Sequence, residues 1–427
     1  MHQKFTLPSG ATVLLAPRRD TKAITALILV KIGSRYETKK INGISHFLEH
    51  LMFKGTKKRP TAQDISRQLD GLGADYNAFT GKDYTGYYIK AAADNTETCL
   101  DILSDIFYNS ALDQVEIDRE RNVIMEEINM YEDNPMMDIG DVIEGLVFGK
   151  NDFLGQPIAG TKQTMRGIHR PQMVDFYTTH YRTDNITIVL AGKMNPTTIR
   201  RQIRAYFQEK RTGGKRAAFH PWKKTQRSAQ TRFKQRKTEQ VHAAVAFPSY
   251  SYFDRRRYSQ YILATILGGN MSSRLFTEVR ERRGLAYFVR AGTDTFEDTG
   301  LFYIQAGLDQ KRVKEAFGVI GQELFKIQNE PVETQELRRA KDYMKGKLAL
   351  RMEDSESIAD WLGKQQMLTG HIESNEQQVK KIEQVTAGEV QQRAGELFTL
   401  KNLNVAMIAK QDQSHLLATQ LAKQLAN

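Results

Sequence analysis

The sequence predicts an α+β fold of two homologous half-modules, each a mainly antiparallel sheet layered with helices. Three observations predict it. The stretch Asp83-Tyr-Thr-Gly-Tyr-Tyr-Ile-Lys-Ala-Ala-Ala-Asp94 returns as Asp298-Thr-Gly-Leu-Phe-Tyr-Ile-Gln-Ala-Gly-Leu-Asp309, half a chain later. The elements around the two copies come in the same order. The composition, 427 residues with 40% apolar, 20 Phe and 17 Tyr, supports packed cores and excludes a disordered chain. Cys99 is the single cysteine, which excludes a disulfide scaffold.

The elements follow in order. Residues 1–20 alternate apolar and polar side chains around Pro8-Ser9-Gly10 and read as a hairpin, not an export signal. Ile24 to Ile32 is apolar but far too short to span a membrane. Helices are expected over Ile44–Phe53 and Ala62–Leu72, separated by a glycine-containing break. The repeated strand leads into an amphipathic helix over Asn95–Asn109, and an acidic helix spans Asp113–Glu132. The second half repeats this series at Tyr258–Leu267, Ser272–Arg283, Gln310–Gln328 and the basic stretch Glu333–Lys347.

The formal net charge of +12 sits in one block. Arg200 to Gln240 holds 14 Lys and Arg against Glu209 and Glu239, so the remainder is neutral. A block between two halves reads as a solvated join, and Gly213-Gly214, Pro221 and Ser228 suit one. The expected division is a catalytic module at 1–209, a basic linker at 210–236 and a second module at 237–427. A rival reading has the block bind single-stranded nucleic acid, with Phe207, Phe219, Trp222 and Phe233 stacking on bases. No recognised nucleic-acid module surrounds them, and that reading is set aside. The lone thiol and the absence of an export signal make the cytoplasm the expected compartment, with no membrane partner.

Chemistry is concentrated at His46-Phe-Leu-Glu-His50. On a helix begun at Ser45 as N-cap, His46 and His50 stand one turn apart on one face, as two imidazoles on one ion require. Glu49 shares that face, where its carboxylate can reach a water on the same metal. The order H-x-x-E-H inverts the zincin motif. A catalytic zinc takes a third protein ligand and keeps one open position. Glu116, Glu120, Glu126 and Glu127 of the acidic helix are all candidates, and spacing alone does not choose between them.

With Leu51-Met-Phe-Lys-Gly-Thr56, Gly71-Leu-Gly-Ala-Asp-Tyr-Asn-Ala-Phe-Thr80 and Arg119 to Ile128, the chain resembles the pitrilysin/insulinase family of inverzincin metallopeptidases. It is most similar to the short members around the mitochondrial processing peptidase. The resemblance implies one Zn2+ per chain held by His46, His50 and Glu127, with Glu49 as general base and Glu120 supporting the site. It implies that Arg280 and Tyr287, within Gly268 to Tyr287, contact the scissile peptide. The edge around Gly73, Asn77, Ala78 and Phe79 would receive substrate as an added strand. It further implies half of a clamshell, closed by a homodimer, around a chamber admitting peptides or unfolded polypeptide. Opposite His46, Glu49 and His50 the second half has Gln260, Leu263 and Ala264, so it holds no second metal. The remaining alternative is a catalytically silent scaffold subunit of the same family, which would be expected to have lost motif residues.

Overall fold

Side chains alternate across a strand, and in the strand Ala23–Val30 both alternating sets are buried beyond Ala23, with Thr25 the one polar member. Ile24, Ala26, Ile28 and Val30 point one way, Leu27 and Leu29 the other, and all are buried. Such a strand needs cover on both faces of its sheet. The computed structural model, which describes residues 2–211 and 218–426, shows where that cover comes from.

The chain forms two compact units. One comprises Met1–Ile128, Pro157–His220 and Ala349–Ile372; the other comprises Asn129–Gln156, Pro221–Leu348 and Glu373–Asn427. The first holds a six-stranded sheet ordered Gln3–Thr6, Thr12–Pro17, Ile186–Gly192, Ala23–Val30, Thr85–Ala92, Asp75–Thr80. The second holds a five-stranded sheet ordered Gln230–Gln235, Asn404–Ala409, Gln240–Ser249, Gly300–Asp309, Ala286–Thr295. Each sheet has one parallel pair, Thr12–Pro17 with Ile186–Gly192 and Gln230–Gln235 with Asn404–Ala409; the other pairs are antiparallel. Leaving aside the first strand, the two orders coincide, so the duplication read from Gly86 and Gly300 extends to topology. Both glycines are needed where they stand. A Cβ at Gly86 would lie 2.2 Å from the Phe79 ring, and one at Gly300 would lie 2.3 Å from the Tyr250 carbonyl oxygen.

The units do not follow the halves 1–209 and 237–427, because each sheet takes a helix from the other half. One face of the first sheet packs on Ile44–Met52 and Thr96–Asn109. Its other face, with Leu14, Leu27, Leu29 and Val189, packs on Ile358, Ala359 and Leu362 of the late helix Ser355–Thr369. A Cβ at Gly363 would lie 2.6 Å from Leu29 Cδ1, so glycine there lets the helix lie close. In the second unit Ile139 and Ile143 of the early helix Pro135–Val147 cover Ala244, Ala246, Ala406 and Ile408.

The basic segment also departs from the linker reading at 210–236. Gln230–Gln235 is a strand of the second sheet; Phe233 packs on the core and Lys234 pairs with Asp138 at 2.6 Å. High charge density obscured an alternating strand. Residues 212–217, which contain Gly213 and Gly214, lie outside the described residues. None of the four aromatics proposed to stack on bases is left to do so. Phe207 is fully buried, and Phe219 lies 3.6 Å over the buried Arg35 guanidinium. Trp222 packs edge-on against Phe148 and donates its indole N–H to the Phe148 carbonyl at 3.2 Å. Among the described residues no helix is long and apolar enough to cross a membrane.

Candidate metal centre

The metal motif lies on the helix Ile44–Met52, whose start differs from the expectation. Ser45 is not its N-cap but lies inside the first turn. The N-cap is Gly43 at φ +96°, and its side-chain position is occupied by neighbours: a Cβ would lie 2.7 Å from the Ala159 carbonyl oxygen. With no capping side chain at that position, the free N–H groups of the first turn need another acceptor. Glu37 supplies it. Its carboxylate accepts from Gly43 N at 2.7 Å, Ser45 N at 2.8 Å and Asn42 Nδ2 at 3.1 Å. Glu37 is 3% exposed, and burial pushes its carboxyl up to about 7 against these donors. Sequence reasoning missed Glu37, which lies nine residues before His46 with no periodic relation to it.

His46 and His50 project from one face with ring centroids 4.7 Å apart. The acidic helix Gln114–Asp133 passes beside them, anchored by buried Ile117, Ile124 and Ile128. Its four candidate glutamates part company here, and Glu126 is exposed. Glu116 pairs with Arg119 at 2.5 Å on the helix's own surface. Glu120 is buried, accepting from His50 Nδ1 at 3.1 Å and from Lys54 Nζ at 2.7 Å. Glu127 Oε2 lies 3.5 Å from His46 Nε2 and 3.4 Å from His50 Nε2. Among the described residues His46, His50 and Glu127 form the group able to hold a metal ion, with ligand atoms within 4.8 Å of one another.

These residues fit zinc. Donors at 2.0–2.1 Å around a tetrahedral ion stand about 3.3 Å apart, which the Glu127 contacts nearly match. The Nδ1–H···Glu120 bond leaves His50 Nε2 as a lone pair directed to the ion. Burial and the neighbouring His50 push His46 down. Burial also opposes charge on His50, but Glu120 and Glu127 outweigh it and raise that ring. Burial raises Glu49, with Thr80 and His50 working against the rise.

Gly73, at φ +60°, turns the chain from the helix Ala62–Gly71 into Asp75–Thr80, the outermost strand of its sheet. Tyr76 and Ala78 pack on the metal-helix face, whereas Phe79 lies across Gly86 on the opposite face. Asn77 turns its side-chain oxygen to accept from Ala78 N at 2.9 Å.

The second unit brings Arg280 and Tyr287 together. The expected helix Ser272–Arg283 is shorter and partly π-wound, with Phe276–Glu281 as the π turn. Such turns recur at functional sites because the extra residue re-aims side chains. The Arg280 guanidinium lies 4.8 Å from the Phe276 ring centre and 6.0 Å from that of Tyr287, and Tyr287 is 74% exposed. Gln260, opposite His46 in the repeat, is buried and accepts from Tyr250 N at 3.4 Å, while Leu263 and Ala264 join the core. The position opposite the candidate ligands is structural.

A family model described as insulinase (peptidase family M16) matches residues 12–160, and one described as peptidase M16 inactive domain matches residues 167–344. The chain is 33% identical over 404 residues to the uncharacterized zinc protease YmxG of Bacillus subtilis, covering 93% of this chain and 96% of that one. It is 35% identical over 393 residues to the uncharacterized zinc protease SCO5738 of Streptomyces coelicolor, covering 91% and 85%. Its fold matches the crystal structure of a protease from Helicobacter pylori with a TM-score of 0.89 at 20% identity, over 96% of this chain and 99% of that one. A peptidase M16 inactive domain structure from Pseudomonas fluorescens matches with a TM-score of 0.87 at 18% identity, over 97% and 99%. Sequence, fold and the His46–His50–Glu127 group agree: the chain belongs to the insulinase family of peptidases, M16.

Proposed function

We propose that the chain is a zinc-dependent endopeptidase acting on peptides or unfolded polypeptide segments. The observation that carries this is the convergence of His46, His50 and Glu127 with Glu49 on the same helix face. The relatives named zinc proteases support it. Zinc bound by those three side chains would supply a Lewis acid for the scissile carbonyl and acidify a water toward pKa about 7.

Glu49 would take the water's proton as the peptide carbon is attacked and hand it to the leaving amine. Substrate would add as a strand along Asp75–Thr80, the sheet's outer edge. That mode needs an extended backbone, so compact proteins would resist cleavage. Arg280 and Tyr287 would hydrogen-bond the carbonyl oxygen as negative charge develops on it. We further propose a homodimer enclosing the reaction, with one zinc per chain.

The test is hydrolysis of a quenched peptide library by the purified protein, with Glu49→Gln as the blank. Cleavage abolished by a chelator and restored by zinc is expected. A zinc-loaded protein that cleaves no peptide would refute the proposal.

A further inference from the structure

The last residue of the outer edge strand raises a question that the metal ligands do not answer. Thr80 Oγ1 and Glu49 Oε2 are both sealed from solvent, and neither has a hydrogen-bond partner. A buried polar atom without a partner costs about 1–3 kcal/mol, so two on elements packed against each other need a reason. Alternation puts Thr80 on the face of Tyr76 and Ala78, which packs on the metal helix. Hydrogen bonds at catalytic carboxylates are often long without substrate and tighten in the complex.

We infer that Thr80 is a positioning residue, whose hydroxyl donates to the Glu49 carboxylate and orients it when a substrate strand docks on Asp75–Thr80. This rests on the peptidase reading above and adds a link between docking and chemistry. Thr80 ends the strand that would receive the substrate, so pairing along that edge fixes its backbone. The hydroxyl is then held toward Glu49. One carboxylate oxygen would take the threonine hydrogen while the other faces the water. An isosteric side chain lacking the hydroxyl leaves the carboxylate to rotate, which lowers the rate of attack and leaves substrate affinity unchanged.

The experiment compares Thr80→Val and Thr80→Ser with the wild type, and repeats Thr80→Val in a Glu49→Gln background. Thr80→Val should lower kcat roughly 10- to 100-fold with KM, zinc content and melting temperature unchanged, and Thr80→Ser should recover most of the rate. In the Glu49→Gln background, Thr80→Val should leave the Kd of an uncleaved peptide unmoved. Unchanged kcat in Thr80→Val, no recovery by Thr80→Ser, or weaker peptide binding in the Glu49→Gln background would each overturn the inference. Should Thr80→Val fail to fold, Thr80→Ala takes its place. A fully active Glu49→Gln protein overturns the peptidase mechanism itself. An inactive Glu49→Gln beside a fully active Thr80→Val overturns only the role of Thr80.

Discussion

His50 Nδ1 and the Glu120 carboxylate stand 3.1 Å apart, and Lys54 holds the other oxygen of that carboxylate at 2.7 Å. The bond fixes which ring nitrogen of His50 carries the proton, and so fixes the other as the metal donor. Glu120→Gln should therefore weaken zinc binding about 10- to 100-fold without abolishing it. Glu127→Ala removes a proposed ligand and should leave the purified protein without stoichiometric zinc. Competition against a chromogenic chelator measures both. Equal zinc affinity in Glu120→Gln and wild type would refute the orienting role.

Glu49→Gln keeps the shape of the side chain and removes the proposed base. It should retain one zinc per chain and lose roughly 100- to 10,000-fold in kcat, the usual worth of a positioned acid–base group. Metal analysis beside single-turnover hydrolysis checks this. Activity near the wild-type level would assign the proton transfer to another residue.

The same residues show what the sequence makes legible. The helix carrying His46, Glu49 and His50 is readable because its chemistry lies within one turn, where spacing alone fixes the face. Glu127 is different. Four glutamates lie on or near one helix, and their division into surface pair, histidine partner and metal-facing group depends on how that helix packs. Only the family resemblance singled it out. Glu37 reaches the helix start through a loop, and no periodicity links the two. Likewise, apolar residues on both faces of Ala23–Val30 announce that two layers are needed, but not that the second comes from residue 355 onward.

Glu37 offers a test by pH. Its carboxyl is raised by burial to about 7 from an ordinary 4.5. The folded chain thus holds this proton where the unfolded chain has lost it. From this group, stability is greatest below about pH 4.5, falls as pH rises toward 7, and stays low above that. A shift of this size is worth about 3 kcal/mol across the window. Urea unfolding of wild type and Glu37→Gln between pH 4.5 and 8 should show their difference changing by about that amount, with the wild type relatively more stable at the acid end. Parallel profiles would contradict the cap's titration.

The crossed helices make a prediction about the chain as a whole. If the halves were independent, a fragment ending before the linker expected at 210–236 would fold alone and bind zinc, since all three candidate ligands precede residue 128. The packing says otherwise. Without Ser355–Thr369 the face formed by Leu14, Leu27, Leu29 and Val189 has no cover, and a sheet with one bare apolar face aggregates. A fragment of residues 1–209 should therefore be insoluble despite carrying the complete metal motif. In the full chain Leu362→Ala, made more than 300 residues from the motif, should cost about 2–5 kcal/mol, because it opens a cavity against that sheet. The purified variant should still bind zinc with wild-type affinity, because Leu362 packs on the sheet face opposite the metal helix. A soluble, zinc-binding 1–209 fragment would show that the exchanged helix is dispensable, and would return the fold to two self-sufficient halves.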